Sequence, residues 1–225
     1  MESIRAQAIT FDVGGTLITP YPSVGQIYAD IAADHGHPKL PVEKLNQQFV
    51  AAWRNKGEFQ YTEAGWLEIV SQSFDGLLEQ AECQSFFPAL YQRFTDAEVW
   101  KIHDDAREAL DELAGRGFRL ALVSNWDVRL RPLLQNLKLT TYFETITVSS
   151  EIGFTKPSPV PFEHTLKHLG LPASDVVHVG DSAVEDIDGA ESAGITGILL
   201  RRSEGKRLGS ISDLRELGQL LQEAW

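Results

Sequence analysis

Only one cysteine, Cys83, occurs among 225 residues, so neither an intrachain disulfide nor a cysteine-built zinc cluster can form. No apolar run approaches the roughly eighteen residues that a membrane-crossing helix needs. The opening residues, MESIRAQAITF, show no basic segment leading into an apolar one, so no secretory leader is expected and a cytoplasmic location fits. Positive charge is also scarce: 20 Lys and Arg stand against 32 Asp and Glu, for a formal net charge of −12. The basic stretch RRSEGKR, Arg201 to Arg207, is short and interrupted. A nucleic-acid partner needs concentrated positive surface and is not expected; nor is a membrane partner. An anionic small molecule remains compatible if its site supplies local positive charge. Internal repeats and low-complexity tracts are missing. What is present, 43% hydrophobic and 23% charged residues, suits a chain that buries a core. Oligomeric state stays open.

Short apolar runs recur along the chain: AITF before Asp12, FRLALV from Phe118, TITV from Thr145, VVHV from Val176 and TGILL from Thr196. Helical patterns alternate with them. DDAREALDELAGRG opens on an N-cap aspartate, sets Ala106, Ala109, Leu110 and Leu113 on one face and stops at glycines. PVPFEHTLKHLG and AVEDIDGAESAG behave similarly. This alternation predicts an α/β fold with a doubly wound parallel sheet. Residues 21–99 differ. They hold no convincing strand and four helical stripes: Val24, Ile27 and Ile31; Leu45, Phe49 and Trp53; Trp66, Val70, Phe74 and Leu77; Phe87, Leu90, Tyr91 and Phe94. The expected organisation is a core from 1–20 and 100–225 with an inserted helical unit at 21–99, its aromatics packed inward. The terminal SDLRELGQLLQEAW reads as a closing amphipathic helix.

In an open α/β sheet, ligands bind beyond the carboxyl ends of the strands. The residues at those ends are Asp12, Gly14, Gly15 and Thr16; Ser124 and Asn125; Thr155 and Lys156; and Asp181, Ser182, Glu185 and Asp186. Singly, Ser124 or Asp181 reads as a helix cap and Lys156 as a solvated loop residue. Together, at successive strand ends, they read as one site of three acids, one lysine and a small hydroxyl.

In that order the segments FDVGGTL, LVSN, TKPSP and VGDSAVEDIDGAESAG resemble the four motifs of the haloacid dehalogenase-like hydrolase superfamily, over nearly the whole chain. The helical insert after the first motif resembles the superfamily's helical cap. The resemblance implies a Rossmann-like core, a nucleophilic Asp12, and a phosphate held by Ser124 and Lys156 with help from Asn125 and Gly15. It also implies a magnesium ion held by Asp12, Asp181 and the Gly14 carbonyl, with Asp186 as a ligand or holding a metal-bound water. Charge agrees: three carboxylates against Lys156 alone would repel a phosphate dianion, whereas Mg²⁺ brings the site itself close to neutral before the phosphate arrives. The substrate is then a small phosphorylated anion.

Phosphatases of this superfamily carry, two residues after the nucleophile, an aspartate that protonates the leaving group and later activates water. Here that position is Gly14. Its loss removes a group worth roughly 10²–10⁴ in rate. The expectation is a phosphatase-like hydrolase with weakened or altered activity. The alternatives are C–P cleavage like that of phosphonoacetaldehyde hydrolases, for which Lys39, Lys44 and Lys56 are the available insert lysines, and a non-catalytic binding or regulatory protein. The loop DHGHPK brings His35, His37 and Lys39 to a place that often faces the site in this superfamily; a solvated turn is the plainer reading. His164 and His168, four apart on a helix, have metal-ligand spacing but no evident third ligand.

Overall fold

The computed structural model describes residues 4–202 and 210–223. Trp225 and most of the basic stretch after Arg202 lie outside them. The apolar runs form parallel strands: β1 Ala8–Phe11, β2 Arg119–Ser124, β3 Thr145–Val148, β4 Val176–Gly180 and β5 Thr196–Leu200, joined by a two-residue β6, Ser210–Ile211. Their order is β3-β2-β1-β4-β5-β6, and each pairing is parallel. Every residue of β1 and β4 is buried. Strands covered on both faces favour apolar residues, which is why these runs are near-continuous rather than alternating; the buried Thr10 and His178 are the exceptions, and each has a hydrogen-bond partner.

Register sets the site. Phe11 lies opposite Leu122 on one side and Val179 on the other. The chain therefore leaves β1, β2 and β4 at nearly one level. The strand order also turns at β1, with β2 and β3 to one side and β4 to β6 to the other. That is the switch point at which open α/β sheets form their crevice.

The chain divides into two compact units. One is built from the described residues up to Thr19, from Ile102–Val128 and from Leu137 onward; the other from Pro20–Lys101 and Arg129–Asn136. The second contains α1 Val24–Asp34, α2 Val42–Arg54, α3 Glu63–Ser73 and α4 Gln80–Arg93. Ser23 and Thr62 start α1 and α3 by accepting the backbone N–H groups of Gln26 and Gly65, which satisfies donors that no helix turn can pair. The stripes converge on a core that includes Leu45, Val70, Phe74, Phe87 and Leu90. Its largest fully buried members include Tyr28 and Phe86, which the stripe pattern leaves out. Tyr28 stacks on Phe74 with ring centroids 5.6 Å apart, and Phe86 meets Phe74 edge-on at 5.4 Å.

In the sheet unit, α5 Ala106–Gly115 buries Ala106, Ala109, Leu110 and Leu113, the expected face. Asp105 precedes it but does not cap it. Its carboxylate instead takes Arg202 Nη1 at 2.8 Å and the Leu214 N–H at 2.7 Å. A carboxylate this buried gains more from a guanidinium than from a helix end. The helix α6, Val160–Leu169, packs through Phe162 and Leu169 against Ala121, Val123 and Val176 of the sheet. The segment after Ser182 starts as a π-helical turn, Ala183–Asp188, before four α-helical residues.

The expected closing helix is corrected. Asp213 and Glu216 form a capping box, but the helix stops at Leu220, and Leu221–Glu223 runs as a strand parallel to Ile4–Ala6. Arg116 explains part of this: its guanidinium donates to the carbonyls of Gly218 and Leu221 at 2.6 and 2.7 Å, drawing the segment onto α5 and away from helical continuation.

Phe74→Ala removes the ring that joins Tyr28 to Phe86 and should cost about 3–5 kcal/mol. Denaturant unfolding followed by circular dichroism reads it directly. A loss below about 1 kcal/mol would show that this aromatic cluster is not what holds the helical unit together.

Candidate active site

Asp12 is the first residue past β1, and its N–H donates to the Val179 carbonyl at 2.9 Å. Its carboxylate is buried and receives two side chains on Oδ1: Lys156 Nζ at 2.8 Å and Ser124 Oγ at 3.3 Å. Lys156 is itself buried. Its remaining hydrogens go to Asp186 Oδ1 at 2.5 Å and the Val123 carbonyl at 2.9 Å. An ammonium has three donors, and all three are used. Asn125 clamps the backbone beneath it, accepting the Lys156 N–H at 2.7 Å and donating to the Lys156 carbonyl at 2.9 Å. The same amide nitrogen reaches Glu185 at 3.1 Å. Asp186 Oδ2 accepts the Ser182 N–H at 2.9 Å, and Thr16 Oγ1 lies 3.4 Å from Asp181 Oδ1. Asp12, Asp181 and Asp186 each offer an oxygen within 4.8 Å of the others.

The electrostatics are unbalanced. Burial raises the pKa of Asp12 to about 7; Lys156 opposes the rise, while Asp186 and Asp181 add to it. Asp181 belongs to a solvent-exposed residue, but its carboxylate joins the cluster. Desolvation there, reinforced by Asp186, lifts it to about 6. Asp186 is buried as well, yet Lys156 and His178 hold it far below the usual carboxylate range. Burial works against the charge on Lys156, and its two carboxylates outweigh that and raise its pKa. Three carboxylates and one ammonium leave about two negative charges uncompensated when all are ionised. Hard, clustered oxygens with excess negative charge are the donor set that Mg²⁺ accepts, so the residues present fit a divalent cation.

The haloacid dehalogenase-like hydrolase family model matches residues 6–194. The chain belongs to the haloacid dehalogenase-like hydrolase family. It is 30% identical over 210 residues to haloacid dehalogenase-like hydrolase domain-containing protein 3 of Danio rerio, covering 88% of this chain and 86% of that protein. It is 27% identical over 201 residues to a phosphoglycolate phosphatase of Colwellia psychrerythraea, covering 88% and 85%. Among solved structures, the magnesium-bound HAD-hydrolase YfnB of Bacillus subtilis superposes with a TM-score of 0.75 at 20% identity, covering 96% of this chain and 98% of that one.

In this haloacid dehalogenase-like hydrolase, the side chains of Asp12, Ser124, Lys156, Asn125, Asp181 and Asp186, all expected from the sequence, lie in one contiguous network. The sequence reading missed two polar residues inside strands. His178 of β4 is fully buried; burial lowers its pKa and keeps it neutral. With the proton on Nε2 it donates to Asp186 Oδ1 at 3.2 Å, while Nδ1 accepts from Thr10 Oγ1 at 2.8 Å. A histidine within VVHVG was the available signal. The expectation also passed over Trp126, whose indole abuts Gly14: a Cβ at Gly14 would lie 3.2 Å from Trp126 Cζ3.

The histidines of the helical unit are engaged locally. His35 Nδ1 donates to the Ile31 carbonyl at 2.8 Å, and His37 lies 3.8 Å from Glu82. Both rings lie about 6 Å from Phe86. Lys56 stands 3.6 Å over the Trp53 ring. His164 and His168 lie with ring centroids 4.3 Å apart. Among the described residues, the group of three metal-capable side chains is the aspartate cluster rather than this histidine pair.

Gly15 makes the approach of Asp181 possible. Its φ is +82°, and a Cβ there would fall 2.4 Å from Asp181 Oδ2. Gly15→Ala combines left-handed backbone strain with displacement of a carboxylate, and should cost about 1–3 kcal/mol. Thermal denaturation checks this. A variant as stable as the parent would mean that the turn relaxes without touching Asp181.

Proposed function

We propose that this haloacid dehalogenase-like hydrolase is a magnesium-dependent phosphohydrolase that acts through Asp12 on a small phosphorylated compound. One observation carries the reading: Ser124 and Lys156 meet the same oxygen of Asp12 inside a cluster with excess negative charge. A lone structural ion pair would not gather two further carboxylates. The similarity to phosphoglycolate phosphatases supports a small anionic phosphate ester or anhydride as substrate.

Asp12, Asp181 and the Gly14 carbonyl would hold Mg²⁺, with Asp186 as a further ligand or holding one of its waters. Mg²⁺ supplies charge that offsets the carboxylates and the phosphoryl oxygens. Lys156 favours the ionised form of Asp12 against the burial that raises its pKa, and reduces its repulsion of the phosphate. Ser124 Oγ donates to a phosphoryl oxygen. An Asp12 oxygen forms a bond to phosphorus as the bond to the leaving oxygen breaks, and that oxygen keeps the electron pair. Water then attacks phosphorus, orthophosphate departs and Asp12 is restored. Gly14 has no side chain to protonate the leaving oxygen or to activate the water. The penalty grows with leaving-group basicity, so this site favours groups that leave unprotonated, such as aryloxides and carboxylates, over alkoxides. Dephosphorylation of Asp12 is slowed as well.

Two measurements test this. Asp12 and Asp181 are raised above the roughly 3.9 of an unfolded aspartate, so they hold protons more tightly when folded. The stability they contribute is present at low pH and is lost as pH rises through about 6 to 7. Mg²⁺ competes with those protons. Millimolar Mg²⁺ should therefore raise the melting temperature more at pH 8 than at pH 5, with a ceiling near 2.7 kcal/mol at a hundredfold excess over Kd. Equal shifts, or none, would remove the metal from the reading.

The second measurement is turnover. Aryl and acyl phosphates should be hydrolysed with Mg²⁺, and sugar or alkyl phosphates at least about 100-fold more slowly, matching the missing acid. Asp12→Asn should abolish both. Activity surviving that substitution would rule out covalent catalysis at Asp12.

A further inference from the structure

We propose that Trp126 recognises the leaving group: its indole closes the space beside Gly14 and offers a flat apolar wall on which an aromatic leaving group stacks, making aryl phosphates the preferred substrate class. This rests on the phosphohydrolase reading above.

The placement of the ring is the starting point. An ideal Cβ on Gly14 would sit 3.2 Å from Trp126 Cζ3 and 4.0 Å from Cη2. The benzo edge of the indole thus stands against the point where a side chain at position 14 would begin. Gly14 is two residues from Asp12, and Trp126 is two residues from Ser124, whose hydroxyl contacts Asp12. The ring therefore belongs to the two loops that flank the nucleophile. Its backbone is held on both sides. The Trp126 N–H donates to Ser149 Oγ at 3.0 Å, and its carbonyl accepts from Ser149 Oγ at 3.0 Å and from the Ser150 N–H at 3.2 Å. The residue is half-buried.

Glycine at 14 and tryptophan at 126 then form one arrangement. The glycine brings no side chain, and the indole stands beside it with a Cζ3–Cη2 edge that carries no proton donor. An alkoxide gains nothing from such a wall. An aryloxide needs no protonation and has a face to stack. Aromatic stacking contributes enough for about a two- to tenfold preference.

Calorimetric titration with phenylphosphonate and methylphosphonate in millimolar Mg²⁺ tests the contact apart from chemistry, since neither compound has an ester bond to cleave. The parent protein should bind phenylphosphonate at least about threefold more tightly than methylphosphonate. Trp126→Phe should keep most of that ratio. Trp126→Leu, which preserves apolar bulk without an aromatic face, should bring it close to one. A parent ratio near one, failure of the parent to bind phenylphosphonate, or an undiminished ratio in Trp126→Leu would overturn the proposal. Turnover of 4-nitrophenyl phosphate by the parent reports on the hydrolase reading separately: its absence counts against catalysis, whereas the phosphonate ratio alone decides the role of Trp126.

Discussion

The Lys156 ammonium is the tie on which the candidate site depends. It is buried, and each of its three hydrogens has an acceptor: Asp12, Asp186 and the Val123 carbonyl. Taking a charge out of water costs several kcal/mol, and only close opposite charges with full hydrogen bonding offset it. The lysine therefore fixes its surroundings as much as they fix it. Val123 belongs to β2, Asp12 follows β1 and Asp186 follows β4. One side chain draws three strand ends to a common point, and Asn125 secures the loop that carries it. Breaking either ion pair would leave a buried charge unmatched, so these residues cannot be changed independently of one another.

Charges this close need a backbone that gets out of their way. Gly15 admits Asp181, and Gly180 admits Asp186, whose carboxyl carbon would lie 2.2 Å from a Cβ at that position. His178 contributes differently. As a neutral donor it adds a hydrogen bond to Asp186 without adding a second positive charge beside Lys156. The resulting division is uneven. Asp186 is held ionised by Lys156 and His178, while burial, reinforced by neighbouring carboxylates, raises Asp12 and Asp181. An incoming cation would meet its strongest invitation at those two residues.

The sheet and the polar strand ends were legible because each rests on a local pattern. Fully buried parallel strands are mostly apolar, and a crevice at the switch point draws its groups from the residues that follow. Several features rest on contacts distant in sequence. Asp105 looks like a cap, but Arg202 claims it from 97 positions away. The last helix looks longer than it is, because periodicity does not register Arg116 drawing on two carbonyls more than a hundred residues later. Tyr28 and Phe86 fell outside the chosen stripes, yet they are central to the helical core. His178 was visible as a polar residue in an apolar strand, but its partners Thr10 and Asp186 come together only in the folded sheet.

The glycine at position 14 shows most clearly what a sequence comparison leaves unsaid. Read along the chain, it is a deletion: an acid is missing and rate should fall. Read in space, the volume is not vacant, because Trp126 stands against it. A Cβ at 14 would need the indole, whose backbone is held by Ser149 and Ser150, to give by about a few tenths of an ångström. An apolar wall beside a proton-poor turn is coherent for a leaving group that is itself flat and departs as an anion. It would be wasteful for one that must be protonated. On the proposed hydrolase reading, a turn without an acid and a neighbouring indole would favour the same class of leaving group, through proton affinity in one case and surface complementarity in the other.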